Sequence, residues 1–285
     1  MNKANAILIV GALDPLAFRV KNFARQAGIP CDTLTSECLL EVQSAVLNKS
    51  LDDCYIQLKN SYVYPKKYSG ILSSFLCNPA TGEASAPFQS PTLERYWSEW
   101  NAFIGTILSL HSNVLNPPFY GALNGHQPSI FWQITAISHI KGINIPSIQQ
   151  IAEHVKFDGT KELHNFYSIN DRLIANMVPL RYKTLEPQFI HVIFVDEEIV
   201  CNTSLSNREI ETINKIISEF RATFSTRLGE LNITKYKNQL YFRNFIARPN
   251  LSFLPWKEQI STLKKIVVAL CGRSQHEHNE YLNNR

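Results

Sequence analysis

The chain opens with a continuous β-branched run, Ala6-Ile7-Leu8-Ile9-Val10, the pattern of a strand buried on both faces of a parallel sheet. Asp14 and Pro15 stand where a helix N-cap and its first residue belong. Leu16, Val20, Phe23, Ala24 and Ala27 keep helical spacing up to Gly28, and Ile29 to Leu34 restarts as a strand. This βαβ unit predicts an open, doubly wound sheet. Cys54 to Tyr64 reads as further strand and Leu76 to Glu83 as loop. Leu93, Tyr96, Trp97, Trp100, Phe103, Ile104, Ile107 and Leu108 predict a helix over about Thr92 to Leu110, with both tryptophans in the core. Asn113 to Pro118 is a short strand cut by a double proline, and a second helix spans Ser129 to Lys141 and stops at Gly142.

Beyond Ile143-Asn144-Ile145-Pro146 the pattern weakens from Ile148 to Asn176 and returns as strand in Val178 to Tyr182. Gln188 to Val195 turns through Asp196-Glu197-Glu198 into Ile199-Val200-Cys201. An amphipathic helix covers Asn207 to Phe224, with Ile210, Ile213, Ile216, Ile217 and Phe220 on one face. Two short strands follow, Leu228 to Thr234 and Tyr241 to Ala247, joined by the turn Lys235 to Asn238 and leading to Arg248-Pro249. A helix from Trp256 to Cys271 precedes a polar tail, Arg273 to Arg285, expected to be disordered. The expected fold class is α/β with α+β subdomains: an N-terminal open parallel sheet over 1–118, a mixed or antiparallel sheet subdomain over 119–272, and the tail 273–285.

Composition changes this picture little. The 285 residues are 45% hydrophobic and 18% charged, enough for a substantial core. A net charge of +4 without any run of Lys and Arg argues against nucleic acid as a partner. The cysteines, Cys31, Cys38, Cys54, Cys77, Cys201 and Cys271, form no C-x-x-C pair and fit a reducing cytoplasm. No apolar run is long enough for a secretory signal or a membrane span, so a soluble, cytoplasmic protein is expected. Gly11 alone is not a dinucleotide fingerprint, Gly-x-Ser-x-Gly is absent, and no residue is singled out as catalytic.

The segments Ile7 to Gly11, Val114-Leu115-Asn116-Pro117-Pro118, Gly142 to Pro146, Val192 to Val200 and 228–249, in that order, resemble the ATP-grasp superfamily. The similarity is to the branch that adds amino acids to proteins or closes rings in ribosomally made peptides. That resemblance implies ATP and Mg²⁺ as cofactors, an acyl-phosphate intermediate, and a peptide or protein partner. Phosphate chemistry of this kind needs cations around the polyphosphate and carboxylates on the metal. The nucleotide-binding positions it implies are Lys156, Arg181, Lys183, His191 and Arg248. One family lysine is missing from Asn124 to Ser129, where His126 or Gln127 stands, and the phosphate lid is reduced to Gly159. The family's metal pattern, an acid on the first hairpin strand and Glu-x-Asn-Pro on the second, falls on Asn232 or Thr234, on Asn244 and on Ile246. Glu230 lies one pleat away, so the metal candidates are Glu230, Asn232 and Asn244.

Three functions follow. The first is a degenerate ATP-grasp protein that keeps a peptide-binding cleft, with nucleotide and metal binding weakened or lost. The second is a divergent carboxylate–amine ligase using Glu230 or Glu186 for metal and Lys156 for phosphate. The third is an unrelated α/β binding protein. A peptide or protein partner, or a second copy in a homodimer, is expected, with no nucleic acid and no membrane. An apolar groove for it is expected beside Trp97 and Trp100, or beside Phe253, Leu254 and Trp256.

Overall fold

The computed structural model describes residues 6–11, 14–35, 38, 41–73, 91–117, 128–145 and 188–272. The expectations on Leu76 to Glu83, Ile148 to Asn176, Val178 to Tyr182 and the tail lie outside these residues. The chain divides into two compact units, one of Met1–His126, Thr226–Leu228 and Ile260–Arg285, the other of Gln127–Ser225 and Gly229–Gln259.

The first unit is built on four parallel strands in the order β2-β1-β6-β7: β1 (Ile7–Val10), β2 (Cys31–Leu34), β6 (Gly70–Ser73) and β7 (Val114–Leu115). All four residues of β1 are buried, as a strand covered on both faces requires. Helix α1 (Pro15–Gln26) starts as its sequence demands, with Asp14 Oδ1 accepting from the Ala17 N–H at 2.8 Å. Leu8 and Val10 join a core with Trp97, Trp100, Ile104 and Ile107 of helix α2 (Pro91–Leu110). Both tryptophans are therefore core residues.

The same core takes Ile56, Leu58 and Val63 from a small antiparallel sheet of β3 (Val42–Val46), β4 (Tyr55–Leu58) and β5 (Ser61–Val63). The run Cys54 to Tyr64 is thus a hairpin broken at Lys59–Asn60 rather than one strand. Alternation alone cannot reveal a two-residue turn that carries no glycine.

Asn113 and Asn116 tie the early and late parts of this unit together. The Asn113 amide donates toward the carbonyls of Ser69 (2.9 Å), Ala269 (3.0 Å) and Leu270 (2.9 Å), the last two closing helix α5 (Trp256–Cys271). Gly70 is required there, because any Cβ would collide with the Leu270 carbonyl oxygen. Buried Asn116, in the left-handed region at φ 57°, accepts from the N–H groups of Arg227 and Leu228 and donates to the Leu228 carbonyl.

The second unit holds a five-stranded sheet in the order β10-β9-β11-β12-β8: β8 (Ile143–Asn144), β9 (Gln188–Val195), β10 (Glu198–Cys201), β11 (Leu228–Tyr236) and β12 (Gln239–Ile246). β10 pairs antiparallel with β9 and β11 with β12, while β8 pairs parallel with β12. The β11–β12 strands run to Tyr236 and Gln239, longer than expected, and the turn is only Lys237–Asn238, with φ of 47° and 60°. That is the left-handed pair a tight hairpin demands. Helices α3 (Ile130–Ile137) and α4 (Asn207–Phe224) cover one face. α3 is shorter than the Ser129 to Lys141 pattern, because turns follow Ile137 before Gly142 at φ 99°. α4 begins with a reciprocal capping box between Ser206 and Glu209. The shared core includes Ile134, Ile137, Ile213, Ile216 and Phe220 from the helices, with Ile190, Val192, Phe194, Leu231, Ile233, Phe242 and Phe245 from the sheet. No helix of the described residues is long and apolar enough to cross a membrane.

His111 gives the first unit a pH dependence. Its Nδ1 accepts the Asn113 N–H (3.1 Å) and its Nε2 lies 3.2 Å from the Tyr68 carbonyl, so the ring is held as the neutral Nε2–H tautomer. Burial lowers its pKa below the ordinary value near 6.5, outweighing both backbone hydrogen bonds. The stabilisation is complete above about pH 6.5 and is lost as pH falls through the lowered folded value. In urea titrations, the stability gap between the wild type and His111→Gln should therefore be widest at about pH 8 and narrow on acidification; a gap independent of pH would refute this role.

Candidate functional site

Strand geometry sends alternate side chains to opposite faces. With Ile190, Val192 and Phe194 of β9 under the helices, Phe189 and His191 turn to the other face. With Leu231 and Ile233 of β11 in the core, Glu230, Asn232, Thr234 and Tyr236 turn away from it as well. The sheet face opposite α3 and α4 thus gathers four residues picked from sequence: His191, Glu230, Asn232 and Asn244. Arg248 follows two residues beyond β12. Lys156, Arg181, Lys183 and Glu186 lie outside the described residues, as do His126 and Gln127.

Glu230 is buried, 1% exposed, and both of its carboxylate oxygens are engaged. Oε1 lies 3.0 Å from His191 Nδ1, and Oε2 accepts the Asn250 N–H at 2.8 Å. A carboxylate only accepts, so His191 carries its proton on Nδ1. The imidazole also stacks on Phe253, centroids 4.3 Å apart and planes 12° from parallel. Asn202 holds the backbone of His191 through its side-chain oxygen, at 3.0 Å from the His191 N–H. Glu230 is thereby a tie between β9, β11 and the loop after β12.

Asn232 and Asn244 are directly opposite in the β11–β12 register, and Asn232 Nδ2 donates to Asn244 Oδ1 at 2.9 Å. Asn232 Oδ1, Thr234 Oγ1 and the Tyr236 hydroxyl, at alternate positions of β11, are buried and have no hydrogen-bond partner among the described residues. The face therefore presents a neutral polar ladder where a metal site would present charge.

Two contributors lie outside the motif. Between Asn232 and Ile233 the register slips, so Arg243 is the extra residue of a bulge in β12. Its guanidinium sits over the Phe189 ring at 4.8 Å from the centroid, and burial lowers its pKa from the arginine value. The trace in sequence is the three-residue interval between core residues Phe242 and Phe245, where a regular strand allows two. Gln133 of α3 is the second. Its buried amide accepts from the Phe245 N–H (2.7 Å) and donates to the Phe245 carbonyl (3.1 Å), pairing backbone that β8 is too short to reach. Arg248 adds a further cation, and burial pulls its pKa down to about 10, so it stays charged at neutral pH.

Mg²⁺ does not fit this set. It is a hard ion that takes near-octahedral oxygen ligands, normally with one or two carboxylates. Here the Glu230 carboxylate is bonded through both oxygens, and the cross-strand pair consists of amides bonded to each other. Among the described residues, no three His, Cys, Asp or Glu side chains group to hold a metal ion. The chemistry left to the face is hydrogen bonding to amides and hydroxyls.

Of the residues expected at an apolar groove, Leu254 is buried, whereas Phe253 and Trp256 are 51% and 70% exposed. If Glu230 serves as a tie, Glu230→Ala should lower stability by about 1–3 kcal/mol, since it leaves a partly buried N–H and an imidazole unpaired. Glu230→Gln, whose amide can accept the Asn250 N–H and donate to Nδ1 once the ring changes tautomer, should lower it by roughly half as much. Urea denaturation measures both, and a neutral Glu230→Ala would refute the tie.

No family model matches the sequence, and no curated protein matches it significantly. Solved structures do. The macrocyclase MdnC from Microcystis aeruginosa MRC, bound with precursor peptide MdnA, is 15% identical with a TM-score of 0.61, covering 94% of this chain and 100% of its own. The ATP-grasp ligase PsnB, complexed with minimal precursor, is 11% identical with a TM-score of 0.62, over 95% and 100%. A RiPP-associated ATP-grasp ligase from Chryseobacterium gregarium, in complex with ADP and a leader and core peptide, is 14% identical with a TM-score of 0.56, over 95% and 97%. Identities this low speak for the fold alone, and along nearly its whole length this chain has the ATP-grasp fold.

Proposed function

We propose that the chain is a peptide-binding protein on an ATP-grasp frame, with weak or no ATP turnover. The observation that carries this reading is the Asn232–Asn244 hydrogen bond of 2.9 Å at the two hairpin positions where the fold's ligases are expected to hold metal with carboxylates. A neutral amide pair satisfies itself and offers no charge to Mg²⁺. The peptide half of the reading draws on the neighbours, which were solved with precursor peptides, and on the exposed aromatics Phe189, Phe253 and Trp256 of the second unit. Rings of this kind supply contact area to peptides.

A divergent carboxylate–amine ligase is the second reading. It is favoured by a single observation, that Glu230 keeps a carboxylate on the same sheet face. To hold metal, that carboxylate would have to release the His191 ring and the Asn250 N–H. An unrelated α/β frame is set aside by the fold.

Calorimetric titration with ATP, with and without Mg²⁺, tests the proposal. The expected result is no magnesium-dependent binding tighter than about 1 mM, roughly −4 kcal/mol. Magnesium-dependent saturation, or ADP release in the presence of a peptide, would establish the ligase instead. The complementary variant, Asn232→Asp with Asn244→Glu, should be less stable than the wild type without metal. It should regain about 2–4 °C of melting temperature when Mg²⁺ is near ten times its dissociation constant, whereas the wild type should not respond.

A further inference from the structure

The small antiparallel sheet of the first unit carries a surface that the site above does not use. One of its faces is core, through Ile56, Leu58 and Val63. The other presents Tyr55, Tyr62 and Tyr64, whose ring centroids lie 5.9–6.1 Å apart, with Tyr62 and Tyr64 stacked at 17°. Tyr62 is 53% exposed, and Val46, paired with Tyr55 in register, is 37% exposed. Lys67 extends its ammonium over the Tyr64 ring, 4.2 Å from the centroid. Its neighbour Lys66 is paired with Asp52. Aromatic area on a solvent face costs hydration, so three adjacent rings with a cation at their rim are an exposed patch that calls for a partner.

Among the described residues, the backbone beside this patch is also unpaired. Leu58 and Ser61 flank the two-residue turn and form the pair that exchanges both hydrogen bonds. The next pair, Gln57 with Tyr62, is therefore the non-bonded one, and the Tyr62 N–H and C=O point away from β4. β5 is the edge of its sheet, and no strand of the described residues lies beyond it. A free N–H and C=O flanked by side-chain anchors is the arrangement through which a sheet takes up an extended chain.

We propose that the β5 edge docks an extended acidic peptide segment. Its backbone pairs with Tyr62, an apolar side chain packs on the tyrosine rings, and a carboxylate meets Lys67. The proposal is independent of the sheet face in the second unit. A single-stranded nucleic acid could stack on tyrosines too, but it has no use for the open strand edge, and of the two lysines beside the rings one is already neutralised by Asp52.

Fluorescence anisotropy with a labelled octapeptide alternating valine and glutamate tests this. Binding with a dissociation constant on the order of 0.1 mM is expected. Lys67→Glu, an exposed change that leaves the fold intact, should weaken it about fivefold. Tyr62→Pro should abolish it at unchanged melting temperature, since proline is tolerated where an edge N–H faces solvent. The same peptide with lysine for glutamate should not bind. No binding at about 1 mM, equal binding of both peptides, indifference to Lys67→Glu, tighter binding of a labelled oligothymidylate, or a dimer that covers the tyrosines would each overturn the proposal.

Discussion

Leu231 and Ile233 under the helices decide what the rest of β11 does. They lie in the same core as Phe242 and Phe245 and the apolar stripes of α3 and α4. Burial of four such side chains is worth on the order of 8 kcal/mol relative to exposure. No polar group on the other face could overturn that register, because a one-residue slip would put Glu230, Asn232 and Thr234 into the apolar core. The candidate site is thus the obligatory reverse of the core. Gly229 serves the same packing: a Cβ there would strike the Phe245 ring.

With the face fixed, its charges follow from where they are buried. A carboxylate at 1% exposure must be hydrogen-bonded or protonated. Glu230 meets that demand with the His191 ring and the Asn250 N–H, so the group with the chemistry to bind metal holds the sheet to its flanking loop. The bulge at Arg243 has the opposite effect. It adds a cation, seated over the Phe189 ring, to a surface whose buried acid is already hydrogen-bonded.

Much of this frame was legible in sequence because local and long-range demands agree. The helices Asn207–Phe224 and Trp256–Cys271 fall where their periodicity put them, and β9 and β10 meet at the expected turn. Legibility failed where one demand was non-local. β3 has only Val42 in contact with the core, so no alternation marks it. β6 depends on its parallel neighbours β1 and β7, and Gly70 within it weakens strand propensity while serving the Leu270 contact. The pairing of Asn232 with Asn244 needed a register that only the bulge sets, and Gln133 reaches β12 from 112 residues away in sequence.

The amide pair also explains itself energetically. Directly opposed side chains in such a hairpin have Cβ atoms about 5 Å apart. Two carboxylates at that distance, without a cation, would repel by about 3 kcal/mol at an effective dielectric of about 20, or one would have to bind a proton. Replacing only one by an amide would remove the repulsion but leave a lone carboxylate to be desolvated. Replacing both turns repulsion into a hydrogen bond of 2.9 Å. The hairpin then closes with no charge on the pair that a cation would have to neutralise.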